Sequence, residues 1–321
     1  MKFRTEYTAP RASISLSPQH PVLLTGSCFA DNISGRMRQS LWKGVNPAGT
    51  LFNPISIARY LSLCLEDCEE GERAFEESLF ASDGKVLSWL FNSRVSGTSK
   101  EECLEVFRKI RQTTLSTMAD AECLIITFGT AWIYALRREE ENYVVANCHR
   151  QPSGLFERRR MEVGEICELW HALTERLLSR FRNLRIIFTV SPVRHLKDGF
   201  EENMRSKATL ILAVEQLCHD IPECYYFPAY EIVNDDLRDY RFYATDLAHP
   251  SEQAVEYIWE KFCVTYLSDA DIRRLAEGKR IWSSLQHRPA LEDAASAELR
   301  RRNVSRLEGF IQENPGMGYM E

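Results

Sequence analysis

The sequence lacks any apolar run approaching the ~18 residues that a membrane-spanning helix needs. It therefore offers no candidate span. No C-x-x-C pair occurs among its ten cysteines, at positions 28, 64, 68, 103, 123, 148, 167, 218, 224 and 263, and no Cys/His pairs show ligand spacing. That scatter argues against a zinc site, so no metal is expected. A basic stripe is also missing. The formal charge is −6, which leaves nothing to neutralise a phosphate backbone and argues against nucleic acid as a partner. The triplets Arg158-Arg159-Arg160 and Arg300-Arg301-Arg302 lie in acidic surroundings and read as solvated helix faces. The opening stretch, MKFRTEYTAPRAS, has no apolar segment of the kind that marks export. With unpaired cysteines, this predicts reduced thiols and a cytoplasmic location. Repeats, low-complexity tracts and Pro/Gly-rich linkers are absent too.

What is present is ordinary globular material. Forty-four per cent of 321 residues are apolar, enough for a large core in one domain or two small ones. Short apolar runs bounded by turn residues predict strands over 22–25, 123–128, 184–190 and 225–228, with a weaker one at 43–45. These runs do not alternate with polar residues, so both faces are expected to be covered, as in a parallel sheet. Helical patterns lie between them. Asn53 followed by Pro54 predicts a capped start for PISIARYLSLCLE, and Ser99 with Glu102 predicts a capping box for the helix that follows. Further helices are expected over 161–182, 201–218 and 251–267. Strands alternating with helices imply an α/β fold, a three-layer α/β/α sandwich around a mostly parallel sheet. Residues 65–119 are too long for a simple crossover and are expected to form a helical insertion. Residues 268–321 read as a C-terminal helical extension, with Ser268 and Asp271 as a cap, to a domain over 1–267. Trp89, Trp132 and Trp259 read as core.

Ligands of open parallel sheets bind beyond the carboxyl ends of the strands. Three chemically rich stretches fall there: Gly26-Ser27-Cys28, Gly129-Thr130-Ala131-Trp132, and Ser191-Pro192-Val193-Arg194-His195. A fourth, YATDLAHPSEQ, holds Asp246 and His249 three apart before a helix. A hydroxyl or thiol nucleophile needs a base, and the base needs an orienting carboxylate. Asp246 and His249 have the types and spacing for that pair, and either Ser27 or Cys28 for the nucleophile. A helix start would favour thiolate at Cys28. Against this, cysteine is readily buried and Phe29 follows it, while a base is of most use to a serine, so Ser27 is slightly preferred. The cluster Asp235, Asp236, Arg238, Asp239, Arg241 reads as a salt-bridged loop.

A nucleophile at a first strand end with Asp-x-x-His near the C-terminal side resembles the layout of SGNH (GDSL-like) hydrolases. Beyond that, GSCFA at 26–30, NPAGTLFNP at 46–54, ITFGTAWIY at 126–134, NCHR at 147–150, SPVRH at 191–195, ENMRSKA at 202–208 and YRFYATDLAHPS at 240–251 make the sequence similar to the GSCFA family, which is named for the first of them. The resemblance implies an SGNH-like fold and a site at these strand ends. It places His149, Arg194 and His195 in motifs where substrate contact is expected. It also departs from the SGNH pattern: Ala131 stands where an oxyanion-donating Asn is usual. Gly49, Asn53, Thr130 or a backbone amide at 27–29 would have to substitute.

The expected function is hydrolysis of an acyl ester, such as an O-acetylated sugar, or acyl transfer from a donor such as acyl-CoA. Ser27 or Cys28 would attack, with His249 as base and Asp246 orienting it, and no cofactor is called for. The alternatives are a non-catalytic ligand-binding or assembly protein on the same fold, and a thiol-dependent sensor.

Overall fold

The computed structural model describes residues 4–139, 142–286 and 294–318. Five parallel strands form its central sheet: β1 (Val22–Gly26), β2 (Gly44–Val45), β3 (Cys123–Phe128), β4 (Arg185–Val190) and β5 (Cys224–Phe227). Their order is β5-β4-β3-β1-β2, with Gly26 opposite Thr127 and Val190 opposite Phe128, so the carboxyl ends of β1, β3 and β4 finish level. The strands are those expected, shifted by a residue at some ends.

The period-two geometry of a strand divides its apolar residues between two faces. Leu23, Leu124, Ile126, Ile186 and Phe188 pack on one side with α2 (Pro54–Leu65), α3 (Lys100–Asp120), α4 (Val163–Arg180) and α5 (Gly199–Asp220). Val22, Leu24, Ile125, Ile187 and Phe227 face the other way, onto α1 (Cys28–Gln39) and α6 (Glu252–Tyr266). Both faces are therefore dry, which is why the strands are apolar throughout, and the three-layer α/β/α arrangement holds. Leu275 and Ile281 of α7 (Asp269–Gln286) and Phe310 of α8 (Ala294–Glu313) join this second core. Gly278 of α7 sits so close to the Ser40 carbonyl that a Cβ there would meet it at 2.4 Å. Ser268 caps α7 by accepting from Asp271 N.

The sequence reading needs two corrections. Residues 65–119 are not wholly helical: between the helix Cys68–Glu76 and α3 lies an antiparallel sheet of Leu79–Ser82, Lys85–Ser88 and Ser96–Gly97. Asp83 and Gly84, both at positive φ (50° and 73°), make the tight turn joining its first two strands. Arg158–Arg160 lie on a strand, Phe156–Arg160, of a second antiparallel sheet with Trp132–Leu136 and Tyr143–Val145. Arg158 covers the Trp132 ring at 3.9 Å and pairs with Asp198, while Arg159 pairs with Glu165. Among the described residues no helix is long and apolar enough to cross a membrane.

Candidate active site

The β1–α1 turn is built from a glycine that nothing else can replace. Gly26 has φ 129°, and a Cβ there would stand 2.1 Å from the Thr127 carbonyl oxygen. Its own carbonyl accepts from Leu51 N at 2.7 Å, which ties the 46–54 loop to the end of β1. Ser27 follows as the N-cap of α1. Its Oγ accepts from Phe29 N at 3.3 Å, and only 1% of the residue is exposed. Cys28, the first residue of α1, is half-buried and so is the more open of the two. The two adjacent residues thus differ: Ser27 is sealed and caps the helix, and Cys28 is half-buried.

The Cys28 thiol is pushed up, not down, from its ordinary pKa. Burial is the largest cause, and the carboxylate of Asp31, one turn along α1, adds to it. The amides of Cys28 and Phe29 and the cation of Lys207 act in the opposite sense without prevailing. The helix start therefore does not yield a resting thiolate. Asp31 is itself held by Asn46 Nδ2 at 2.9 Å and faces Arg94 at 3.7 Å.

Lys207 was not singled out in the sequence, yet it joins the ends of two central strands. It is completely buried on α5. Its Nζ donates to the carbonyls of Gly129 at 2.6 Å and Ser191 at 2.7 Å, the residues that immediately follow β3 and β4. Desolvation brings its pKa down to about 7. Gly129 is a hub: a Cβ on it would stand 2.9 Å from the Phe52 carbonyl oxygen and 3.3 Å from Ser27 Cβ.

His195 is edge-on to Phe52, with ring centroids 6.0 Å apart. Its backbone N–H donates to Asn203 Oδ1 at 2.9 Å, and its Nε2 is buried. Burial first and Lys207 second lower its pKa to about 4, so it is a neutral imidazole at neutral pH. The charge of His249 bears on it as well, which puts the two rings in one neighbourhood.

Asp246 and His249 are clamped together. His249 Nδ1 is 2.6 Å from Asp246 Oδ2, and Asp246 Oδ1 accepts from the backbone N–H of both Ala248 and His249 at 2.9 Å. Those hydrogen bonds hold the Asp246 carboxyl down to about 2, so it is ionised at any working pH. With Nδ1 committed to the carboxylate, Nε2 is the ring atom left to accept a proton. Arg194 joins this loop to the sheet: its N–H donates to Ala248 O at 3.0 Å and its guanidinium to Leu247 O at 3.2 Å. The helix starts at Glu252, one residue later than the expected 251, because Ser251 is the N-cap of α6.

The remaining candidates are distributed differently. Thr130 N–H and Gly129 N–H both donate to Phe52 O, and Thr130 Oγ1 accepts from Trp132 N and shares a hydrogen bond with Ser206 Oγ, so the Thr130 amide is engaged. Gly49, at φ 66°, gives its N–H to Asn46 O at 3.2 Å. Asn53 caps α2 through Oδ1, which accepts from Ser56 N at 2.8 Å and fixes the carboxamide. His149 is a clamp of the 79–97 sheet, with Nε2 on the carbonyls of Ser88 at 2.8 Å and Phe91 at 3.1 Å. In the expected salt-bridged loop Asp235 faces Arg238 and Asp239 faces Arg241, while Asp236 is buried, accepts from Tyr7 N and Tyr257 Oη, and faces Arg4 at 3.5 Å.

The fold is thus a parallel α/β/α sandwich with a half-buried cysteine after β1, a lysine buried between the residues that follow β3 and β4, and an Asp–His pair on a loop that Arg194 ties to the end of β4. The chain belongs to the GSCFA family, whose profile matches residues 21–262 and so takes in every one of these elements. No curated protein matches it.

Proposed function

We propose that the protein is an acyl-transfer enzyme, a hydrolase or acyltransferase of the SGNH-like kind, acting on an ester through Cys28, His249 and Asp246. The carrying observation is the 2.6 Å contact between His249 Nδ1 and Asp246 Oδ2. It fixes the tautomer that leaves Nε2 as a base.

A thiol whose pKa is raised needs such a base as much as a serine hydroxyl does. Ser27 is sealed and occupied as a cap, whereas Cys28 is only half-buried. In the proposed reaction, His249 Nε2 takes the thiol proton as sulfur attacks the ester carbonyl. The tetrahedral intermediate collapses to a thioester as the alkoxide leaves with that proton. Water, or the hydroxyl of an acceptor, then attacks the thioester with His249 again as base, and Cys28 is restored. The Cys28 amide at the start of α1 and Nδ2 of Asn53 are the proposed oxyanion donors, since those of Gly49 and Thr130 are engaged elsewhere. Lys207 fixes the two strand-end loops on which the site is assembled.

Hydrolysis of a panel of p-nitrophenyl esters, compared between the wild type and His249→Ala, tests the reading. Turnover that depends on His249 supports it. Turnover indifferent to His249 removes it.

The second reading, a binding protein without turnover, is favoured by one observation: the amides of Gly129 and Thr130 are already given to Phe52 O. On that reading a fluorophosphonate and iodoacetamide both label the site no faster than they label Cys68, an exposed thiol.

A further inference from the structure

Beside the His249 loop lies a cavity of about 240 Å³ that the reaction proposed above does not use. Its walls come from the first turn of α5, the segment Tyr230–Asn234, and Arg238–Tyr243. Phe200, Met204 and Lys207 are spaced four and then three apart on α5, so one helix face lines this cavity at its start and the buried centre of the site further along.

The cavity has an unusual combination of groups. Arg194 stands among three aromatic rings, with its guanidinium 5.1 Å from the centroid of Phe200, 5.5 Å from Tyr243 and 5.8 Å from Tyr240. Its hydrogen bond to Leu247 O leaves other guanidinium donors over, and among the described residues no carboxylate is within ion-pair distance of it. The carboxylates nearby face other arginines: Asp239 faces Arg241 at 3.8 Å, and Asp235 faces Arg238 at 3.9 Å. Around this cation the rim is apolar yet open to water. Phe200 is 71% exposed, Tyr240 61% and Met204 55%. Apolar side chains exposed singly are common, but a cluster at the mouth of a cavity marks a contact surface. An arginine with free donors, framed by rings, is suited to a carboxylate or phosphate with an apolar group next to it.

We propose that this cavity is the substrate-recognition subsite, and that the ester acted on carries an anionic group, carboxylate or phosphate, beside an aliphatic or aromatic group. The anion binds Arg194, and the apolar group covers Phe200 and Tyr240. That the ligand is an ester rests on the acyl-transfer reading; the anionic and apolar character rests on the cavity alone. A neutral O-acetylated sugar does not meet both requirements.

The test is equilibrium binding of three probes to the full chain by isothermal titration: phenyl phosphate, phenylacetate and benzyl alcohol. One or both anions are expected to bind at least about tenfold more tightly than the alcohol, as a charged hydrogen bond implies. Which anion is preferred separates a phosphate from a carboxylate substrate. Arg194→Gln should abolish the preference. Tyr240→Ala, which removes a side chain with no hydrogen bond to the His249 loop and leaves the backbone bond from Tyr243 N in place, should weaken the anions and the alcohol alike. Cys28→Ala should bind as the wild type does, because the subsite does not need the thiol. Equal affinity for alcohol and anions, no binding of any probe, or a preference that survives Arg194→Gln overturns the proposal. If the binding pattern holds while no ester is turned over, the acyl-transfer reading fails and the subsite stands. If esters are turned over without any preference for anions, the reverse is true.

Discussion

Lys207 Nζ reaches the Gly129 carbonyl at 2.6 Å, so a charged group from α5 lies beneath the turn that carries Ser27 and Cys28. Burial of this lysine disfavours its charged form and lowers its pKa from 10.5 to about 7. The unfolded chain then binds the extra proton between about pH 7 and pH 10.5, so the contribution of this lysine to stability rises with pH across that window. Urea midpoints of the wild type and Lys207→Met should show it. The wild type is expected to gain on the variant from pH 7 towards pH 10 and to hold a constant difference below pH 7. A difference independent of pH would mean that Lys207 is not desolvated in the folded protein.

Ser27 and Cys28 are predicted to fail in different ways. Ser27→Ala removes an N-cap and should cost about 1 kcal/mol of stability, with activity reduced only modestly. Cys28→Ala should leave stability nearly intact and lower kcat by at least about 10³-fold. Thermal unfolding and ester hydrolysis of both variants check the division. Loss of activity in Ser27→Ala alone would return the nucleophile to the serine.

Asp246→Asn keeps the shape of the loop but removes the charge that selects the His249 tautomer. A fall in kcat of roughly 10²–10⁴-fold is expected, with little change in KM. Because the Asp246 carboxyl is held down to about 2, protonation of this residue should not contribute to any acid limb of the wild-type rate above pH 4. A variant with wild-type kcat would show that the clamp only shapes the loop.

How much of this was legible in the sequence depends on what each residue answers to. β3 could be read to the residue because a strand covered on both faces is apolar from end to end, and CLIITF is. The Asp246–His249 pair was legible because both partners lie within one turn. Lys207 was not. A lysine in a helical pattern ordinarily faces water, and only the packing of α5 against two strand ends turns this one inward. The capping of Ser27 against the openness of Cys28 was equally hidden, since it depends on how the turn is seated on Gly129 and Phe52. The small sheet at 79–97 is formed by strands of four, four and two residues, too short for a period, although the Asp83-Gly84 dipeptide was a usable turn signal. Thr130 and Gly49 looked like oxyanion donors because sequence does not reveal that Phe52 O and Asn46 O already take their amides.

His195 should be an acid-sensitive point. Its pKa is lowered from 6.5 to about 4, chiefly by burial. The unfolded chain takes up the proton first as pH falls, so the stability this residue contributes is complete above about pH 6.5 and is lost progressively down to about pH 4. His195→Gln should flatten part of the acid limb of a stability–pH curve measured by urea unfolding. An unchanged limb would place the acid sensitivity elsewhere.

The most direct measurement is mass spectrometry of the peptide bearing Ser27 and Cys28 after brief exposure to p-nitrophenyl acetate and an acid quench. The expected result is an acetyl group on Cys28 in the wild type, formed much more slowly in His249→Ala. Acetyl on Ser27, or acetylation of Cys28 at the same rate with and without His249, would contradict Cys28 as a nucleophile activated by the Asp246–His249 pair.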